Sequence, residues 1–169
     1  GEVQYRIKSA AEAFERVAIG PERKGSPMSE RDKEETAYHE GGHALVGHVL
    51  PNADPIHKIT ILPRGGALGV TWSLPVDDKH SMSIKDIKDY LAQAMAGRVA
   101  EEVVYGINNV STGAGNDLMK ISSLARKYVT EYGLSPKLKN LAFKEEAHDL
   151  DPVNMMGGSI KYSNKTAEL

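Results

Sequence analysis

The spacing of apolar residues predicts a helix that follows Ser29 and ends at about Leu50. His39, His43 and Val46 fall on one stripe of this helix at helical spacing. Ser29 is a favourable N-cap residue, and acidic side chains follow it in the first turn, where the helix dipole stabilises them. The pattern therefore places two histidines on the same face of a helix.

Two more helices are predicted further along the chain. One opens with a capping box at Ser83 and has its C-terminal stop at Gly106. The other begins at Asn116 or Asp117, directly after a glycine-containing loop, and ends at Gly133. Each carries apolar residues along one face.

A short stretch between the first two helices has a different period. Residues 56–62 alternate apolar and polar side chains, which is typical of a half-buried strand. A Pro-Arg-Gly-Gly turn follows, and residues 67–74 form a second extended segment. Two short strands joined by a glycine turn predict a hairpin. The expected fold class is therefore mainly α, with a small β-hairpin or sheet.

The composition excludes several classes of function. A net charge of -2 and a pI near 6.3 give no basic surface for nucleic acid. Cysteine is absent, so any metal must be bound by histidine, aspartate or glutamate. No G-x-x-x-x-G-K-[ST] phosphate loop occurs, so we expect no nucleotide hydrolysis by that mechanism in this chain. No apolar run approaches the length of a membrane span, and we expect this chain to be soluble.

The candidate chemistry lies at residues 39–43, which have the pattern H-E-x-x-H. Positions i and i+4 share a helix face, so His39 and His43 can direct two imidazoles at one metal ion, with Glu40 beside it. A zinc ion that does chemistry usually has three protein ligands and one position open to water. The pattern therefore predicts a metal site that needs a third ligand.

Spacing alone leaves the third ligand open between Asp117 and the pair Glu101 and Glu102. Asp117 opens a helix after a loop, although an acid there also interacts favourably with the helix dipole. The two glutamates lie on the second helix, although adjacent acids near a helix end are usually solvated. The other histidines are less suitable by position, namely His48, His57, His80 and His148.

Two adjacent glycines, Gly41 and Gly42, lie inside the motif. Each weakens a helix by about 1 kcal/mol relative to alanine. We therefore expect the hairpin to approach the helix closely at these positions and to offset this cost.

Four blocks of sequence, in this order and spacing, resemble the peptidase domain of the FtsH family of membrane-anchored, ATP-dependent zinc metalloproteases: residues 35–48, 61–75, 97–106 and 111–117. The similarity covers about residues 10–143. The resemblance implies that both motif histidines and the aspartate of the S-T-G-x-x-N-D block bind zinc. In this chain these ligands are His39, His43 and Asp117, and the implied catalytic base is Glu40.

The resemblance implies a zinc endopeptidase module that hydrolyses peptide bonds of unfolded, threaded or membrane proteins with a zinc-activated water. Its implied partners are an attached ATPase module and further copies of itself in a hexameric ring. The full-length protein would be anchored in a membrane, with this domain on the cytoplasmic side in bacteria, or in an organellar membrane. The alternative is a catalytically silent assembly module of the same fold, which the intact set of ligands and base disfavours.

The expected substrate-binding element is an edge strand at Gly69, Val70 and Thr71. An extended peptide can add to such an edge through backbone hydrogen bonds, which suits cleavage of many sequences. We expect Trp72, which follows, to serve as a packing residue.

The resemblance also predicts a division of the chain into four parts. The helix within residues 8–18 is expected to pack towards the ATPase module. The four parts are the end of that ATPase module at 1–20, a linker at 21–29, the zinc peptidase domain at 30–143, and a flexible tail with the start of a truncated helical region at 144–169.

Overall fold

The computed structural model describes most of the chain between residue 13 and residue 143. The described ranges are 13–17, 20–23, 27–64, 67–75, 81–138 and 140–143. The predicted tail at 144–169 and the first part of the predicted N-terminal helix lie outside them. Internal contacts divide the chain into two units, Gly1–Leu118 and Met119–Leu169.

Three long helices and one antiparallel pair of strands form the described fold. This confirms the predicted class, mainly α with a small β-hairpin. None of the described helices is both long and apolar enough to cross a membrane. The elements in chain order are α1 (Glu30–Val49), β1 (Ile56–Thr60), β2 (Val70–Ser73), α2 (Ile84–Tyr105), a single 3-10 turn (Ile107–Asn109) and α3 (Gly115–Thr130).

Capping boxes fix the starts of the first two helices. The Ser29 hydroxyl accepts a hydrogen bond from the backbone N–H of Asp32 at 3.0 Å, and the Asp32 carboxylate accepts one from the backbone N–H of Ser29 at 3.2 Å. Ser83 and Asp86 repeat this arrangement at the start of α2, as predicted. Gly106 follows the last residue of α2 with a φ of 78°, which is unfavourable for residues with a side chain.

The close approach to α1 comes from α2, at Gly42. A Cβ atom at this position would lie 2.5 Å from the carbonyl oxygen of Ala96 and 2.7 Å from the Cβ of Ala100. A Cβ at Gly41 would meet nothing within 4 Å. The prediction that the hairpin approaches both glycines was therefore wrong. Helical spacing turns Gly42 and Gly41 in different directions, and only one of them faces the neighbouring helix.

In the described part of the first unit, five buried residues are polar or charged and four are apolar. The buried apolar residues among those described are three alanines and one isoleucine, namely Ala44, Ala96, Ala114 and Ile87. The buried polar or charged residues are Thr36, His39, Glu40, Arg64 and Glu101. Buried polar groups are stable only when they are hydrogen-bonded, so their partners determine how the helices meet.

The hairpin contacts the helical residues 13–17. β1 and β2 are antiparallel, and the ring of Trp72 on β2 lies 5.4 Å from the ring of Phe14 and 5.1 Å from that of His57. The carboxylate of Glu15 pairs with the ammonium group of Lys58 at 2.5 Å. Trp72 thus packs against aromatic neighbours. The expected contact of the N-terminal helix with an ATPase module stays a prediction.

The first residues of the predicted linker are held against the hairpin turn. Glu22 and Arg64 form an isolated β-bridge, and the backbone N–H of Arg23 donates to the carbonyl of Pro63 at 2.9 Å. The guanidinium group of Arg64 also donates to the Glu22 carboxylate at 2.5 Å. This segment therefore has fixed backbone partners up to residue 23.

The second unit begins within α3, which ends at Thr130 and not at the predicted Gly133. The backbone N–H groups of Glu131 and Tyr132 both donate to the carbonyl of Lys127 at 2.9 Å. This shared acceptor closes the helix early, and Gly133 follows with a φ of 62°.

We expect Gly42→Ala to lower the free energy of unfolding by about 1–3 kcal/mol, because its methyl group would overlap the backbone of α2. Gly41→Ala is the matched control. Its methyl group has room, and alanine favours a helix by about 1 kcal/mol over glycine, so this variant should be equally stable or more stable. Urea unfolding at a fixed zinc concentration measures both effects. Equal destabilisation by the two substitutions would contradict the observed packing.

Candidate metal centre

The two motif histidines lie one turn apart on α1 and direct their Nε2 atoms to the same point. These atoms are 3.0 Å apart, and the ring planes are inclined at 81°. Both side chains are largely buried, with exposed fractions of 11% for His39 and 12% for His43. The arrangement predicted from the spacing is therefore present.

The first turn of α3 brings Asp117 to these nitrogens. Its Oδ2 atom lies 3.3 Å from the Nε2 of His39 and 3.3 Å from the Nε2 of His43. A tetrahedral zinc ion about 2.0–2.1 Å from each donor atom would hold its ligands about 3.3 Å apart. The two nitrogen–oxygen distances match this spacing and the nitrogen–nitrogen distance of 3.0 Å is close to it, and these three residues form the described group that could hold a metal.

The hydrogen bonds of the two imidazoles fix which nitrogen faces the metal position. The Nδ1 of His39 lies 2.7 Å from a carboxylate oxygen of Glu101, and the Nδ1 of His43 lies 2.8 Å from the carbonyl of Gln93. A carbonyl and an ionised carboxylate only accept, so each Nδ1 donates. In the neutral rings both Nε2 lone pairs then face one another and the carboxylate of Asp117. A cation between them removes this repulsion.

Glu101 connects three elements of the first unit. Its exposed fraction is 1%, and it lies on α2. One oxygen accepts from His39, and the other accepts from the backbone N–H of Ser111 at 2.7 Å, in the loop that leads to Asp117. Burial raises the pKa of this carboxyl, but the hydrogen bonds from Ser111 and His39 outweigh burial and hold the pKa below its usual value. Glu101 therefore stays ionised and positions two of the three candidate ligands.

The electrostatic environment of His39 favours a positive charge. Burial lowers the pKa of this imidazole, but the hydrogen bonds to Asp117 and Glu101 and the charge of Glu40 raise the pKa above its usual value. Three carboxylates thus act on one ring. Such an excess of negative charge suits a divalent cation.

The alternatives from the sequence lie in other places. Glu102 accepts from the guanidinium group of Arg98 at 3.0 Å, one turn away on the surface of α2. His48 and His57 are exposed, and neither belongs to the group of converging donors. His80 and His148 lie outside the described residues.

Sequence reasoning missed Gly97 on α2 as part of this site. A Cβ atom there would lie 2.5 Å from the Nε2 of His43 and 2.6 Å from that of His39. Only a glycine lets the backbone of α2 cover the donor atoms so closely. A signal was present, because a glycine inside a helix costs about 1 kcal/mol relative to alanine and usually has a packing or functional reason.

The motif glutamate is covered by β2 and the residue before it. The side chain of Glu40 is buried, and its Oε2 atom lies 2.6 Å from the hydroxyl of Thr71. A Cβ atom at Gly69 would lie 2.8 Å from the Cγ of Glu40 and 2.5 Å from the methyl carbon of Thr36. The structure therefore brings the predicted substrate strand against the predicted base. β2 pairs with β1 on one side, and no other described strand pairs with its second edge.

A helix that carries H-E-x-x-H beside a carboxylate from a separate helix defines a metallopeptidase of the two-histidine, one-carboxylate class. Comparison with known proteins agrees with this class. The profile of Peptidase family M41 matches residues 26–169, and the chain belongs to this family.

The relatives carry the name that the sequence blocks suggested. An ATP-dependent zinc metalloprotease FtsH of Buchnera aphidicola (subsp. Baizongia pistaciae) is 44% identical over 157 residues, which are 93% of this chain and 26% of that protein. The one of Rubrobacter xylanophilus is 49% identical over 146 residues, 86% of this chain and 22% of that protein. FtsH 3 of Petrotoga mobilis is 43% identical over 169 residues, 99% of this chain and 26% of that protein.

This chain spans about a quarter of the length of these relatives. Membership of the family confirms the FtsH resemblance predicted from sequence. These relatives are named zinc metalloproteases, and His39, His43 and Asp117 form the described group of this chain that could hold a metal.

We expect Glu101→Gln to weaken zinc binding by about ten- to a hundred-fold, because the amide has no charge and replaces one acceptor oxygen by a donor. Glu102→Gln is the matched control, since the Glu102 side chain pairs with Arg98 on the surface of α2. This variant should bind zinc with the affinity of the wild-type chain. Competition with a chromophoric chelator measures both affinities. Equal affinities in the two variants would refute the positioning role of Glu101.

Proposed function

We propose that this chain is the zinc endopeptidase module of an ATP-dependent protease. The observation that carries the proposal is the convergence of three donor atoms whose histidine tautomers are already set. His39, His43 and Asp117 would bind the ion, and Glu40 would act as the general base. Three protein ligands would leave the ion able to bind water or substrate as well.

When bound, zinc supplies Lewis acidity, which lowers the pKa of a coordinated water towards ~7 and polarises the peptide carbonyl. The carboxylate of Glu40 takes the proton from the attacking water and later gives it to the leaving amine. Glu101 and the Gln93 carbonyl keep the imidazoles oriented throughout. The covering helix α2, in van der Waals contact at Gly97, limits access of bulk water from that side.

Substrate would bind as an added strand along the edge of β2 that no other described strand pairs with. Gly69, Val70 and Thr71 would supply backbone hydrogen bonds, which do not depend on the substrate's side chains. Glu40 lies against the face of the hairpin that carries the Thr71 side chain and the Cβ direction of Gly69, so a strand added to β2 would run beside this carboxylate. Unfolded or threaded proteins, and membrane proteins extracted from the bilayer, are the substrates that suit such an edge.

The whole protein would carry an ATPase module and a membrane anchor and would form a hexameric ring. Support for the ATPase module comes from the relatives, which are named ATP-dependent. Support for the ring comes from the surface of α2, where Val99, Val103 and Val104 are exposed and the exposed fraction of Val103 is 80%. Exposed apolar groups on one helix are typical of a surface that packs against another protein. We place this domain on the cytoplasmic side of a bacterial membrane, with an organellar membrane as the alternative.

Glu40→Gln should keep stoichiometric zinc and lose proteolysis, because an amide cannot accept the proton of the attacking water. The measurement is digestion of fluorescein-labelled casein together with metal content. Cleavage at the unchanged rate by this variant would rule out Glu40 as the base. An unchanged chain that binds zinc and never cleaves casein would support the silent assembly module instead.

Asp117→Asn should lower zinc affinity by at least about ten-fold, because a neutral amide oxygen replaces an anionic ligand. Asn116→Ala is the matched control from the same helical turn, where the neighbouring side chain is exposed and has no donor atom in the described group. Chelator competition again gives the affinities. An unaffected Asp117 variant would show that another group provides the third ligand.

A further inference from the structure

The strand proposed to bind substrate, β2, also contacts the proposed base Glu40 through the side chain of Thr71. The hydroxyl of Thr71 lies 2.6 Å from the Oε2 of Glu40 and 2.9 Å from its backbone carbonyl oxygen. We propose that Thr71 is a positioning residue for Glu40, with its hydroxyl fixing the carboxylate in the orientation needed for proton transfer. This inference rests on the proposed function and adds a determinant of the rate.

The geometry assigns the hydroxyl proton to the carboxylate. A hydroxyl has one proton to donate, and both contacts of Thr71 are to acceptors. The shorter contact lies in the range of O–H···O⁻ hydrogen bonds to an ionised group, about 2.5–2.7 Å, which are roughly twice as strong as neutral ones. The donation therefore goes to Oε2, and the contact with the backbone carbonyl keeps the hydroxyl close to α1.

The rest of the Glu40 side chain is restrained by Gly69. The Cα of Gly69 lies against the Cγ of Glu40 and near its second oxygen, Oε1, so closely that a Cβ would be 2.8 Å and 3.0 Å from them. A free glutamate has several rotamers of similar energy, and fixing them costs entropy. With Oε2 held by Thr71 and the stem held by Gly69, the remaining oxygen is the one that takes up a proton.

Thr71 therefore links the strand to the base through a hydrogen bond. The backbone of Thr71 belongs to the edge proposed for substrate, and its side chain belongs to the environment of Glu40. A peptide that adds to this edge therefore binds to the same residue whose hydroxyl holds the carboxylate. Thr71 thereby links occupation of the strand to the readiness of the base.

The test compares Thr71→Val, which keeps the branched shape and the strand propensity, with Thr71→Ser, which keeps the hydroxyl. Zinc-loaded variants are assayed with a quenched fluorogenic casein peptide. For Thr71→Val we expect kcat to fall about ten- to a hundred-fold, the effect of losing a hydrogen bond to a charged group, with KM within about two-fold and zinc affinity unchanged. Thr71→Ser should recover most of kcat. Thr60→Val removes a hydroxyl from the paired strand β1 and should change neither parameter.

Three results would overturn the proposal: an unchanged kcat in Thr71→Val, an equal loss in the serine and valine variants, or a rise in KM alone. If the valine variant does not fold, Thr71→Ala removes the same hydroxyl with less bulk and carries the same expectation. In a crystal structure of the valine variant with zinc, the Glu40 carboxylate should occupy more than one rotamer, and a single unchanged rotamer would contradict the role. A wild-type chain without activity would contradict the proposed function. An active wild-type chain whose kcat is unaffected by loss of the Thr71 hydroxyl would contradict only this inference.

Discussion

The buried carboxylate of Glu101 is the constraint on which the rest of the first unit depends. A charge removed from water is strongly unfavourable unless it is paired and hydrogen-bonded. Its two oxygens accept hydrogen bonds from two other elements, one from His39 on α1 and one from the backbone N–H of Ser111 in the loop before α3. Both hydrogen bonds hold the three elements together, and the same two bonds position the candidate ligands His39 and Asp117.

Close backbone contacts at three glycines also hold the elements of the first unit together. At Gly42 and Gly97 the helices α1 and α2 lie closer than any side chain would allow, and at Gly69 the hairpin does the same over Glu40. The first unit therefore obtains its rigidity from backbone contacts and hydrogen bonds, with few large apolar side chains in the described interior. Functional groups on such elements keep a defined geometry because their supports have no room to move.

Local features were predictable from the sequence, and distant contacts were not. The capping boxes at Ser29 and Ser83 and the shared face of the two histidines depend on residues three or four positions apart, so the pattern contains them. The contact between His39 and Glu101 joins residues 62 positions apart, and that between Glu40 and Thr71 joins residues 31 positions apart. These pairs depend on how the elements pack. Spacing alone therefore left Asp117 and Glu101 as equal candidates, and it assigned the close approach at Gly42 to the wrong neighbour.

The aromatic contacts of Trp72 have a practical consequence. Its ring contacts those of Phe14 and His57, and the residue before it in the chain is Thr71. Trp72 is the only tryptophan in the sequence, so all indole fluorescence of the chain comes from this one point on the hairpin. Its emission is a built-in optical reporter of whether the helical residues 13–17 are docked, read out beside the strand that covers the glutamate.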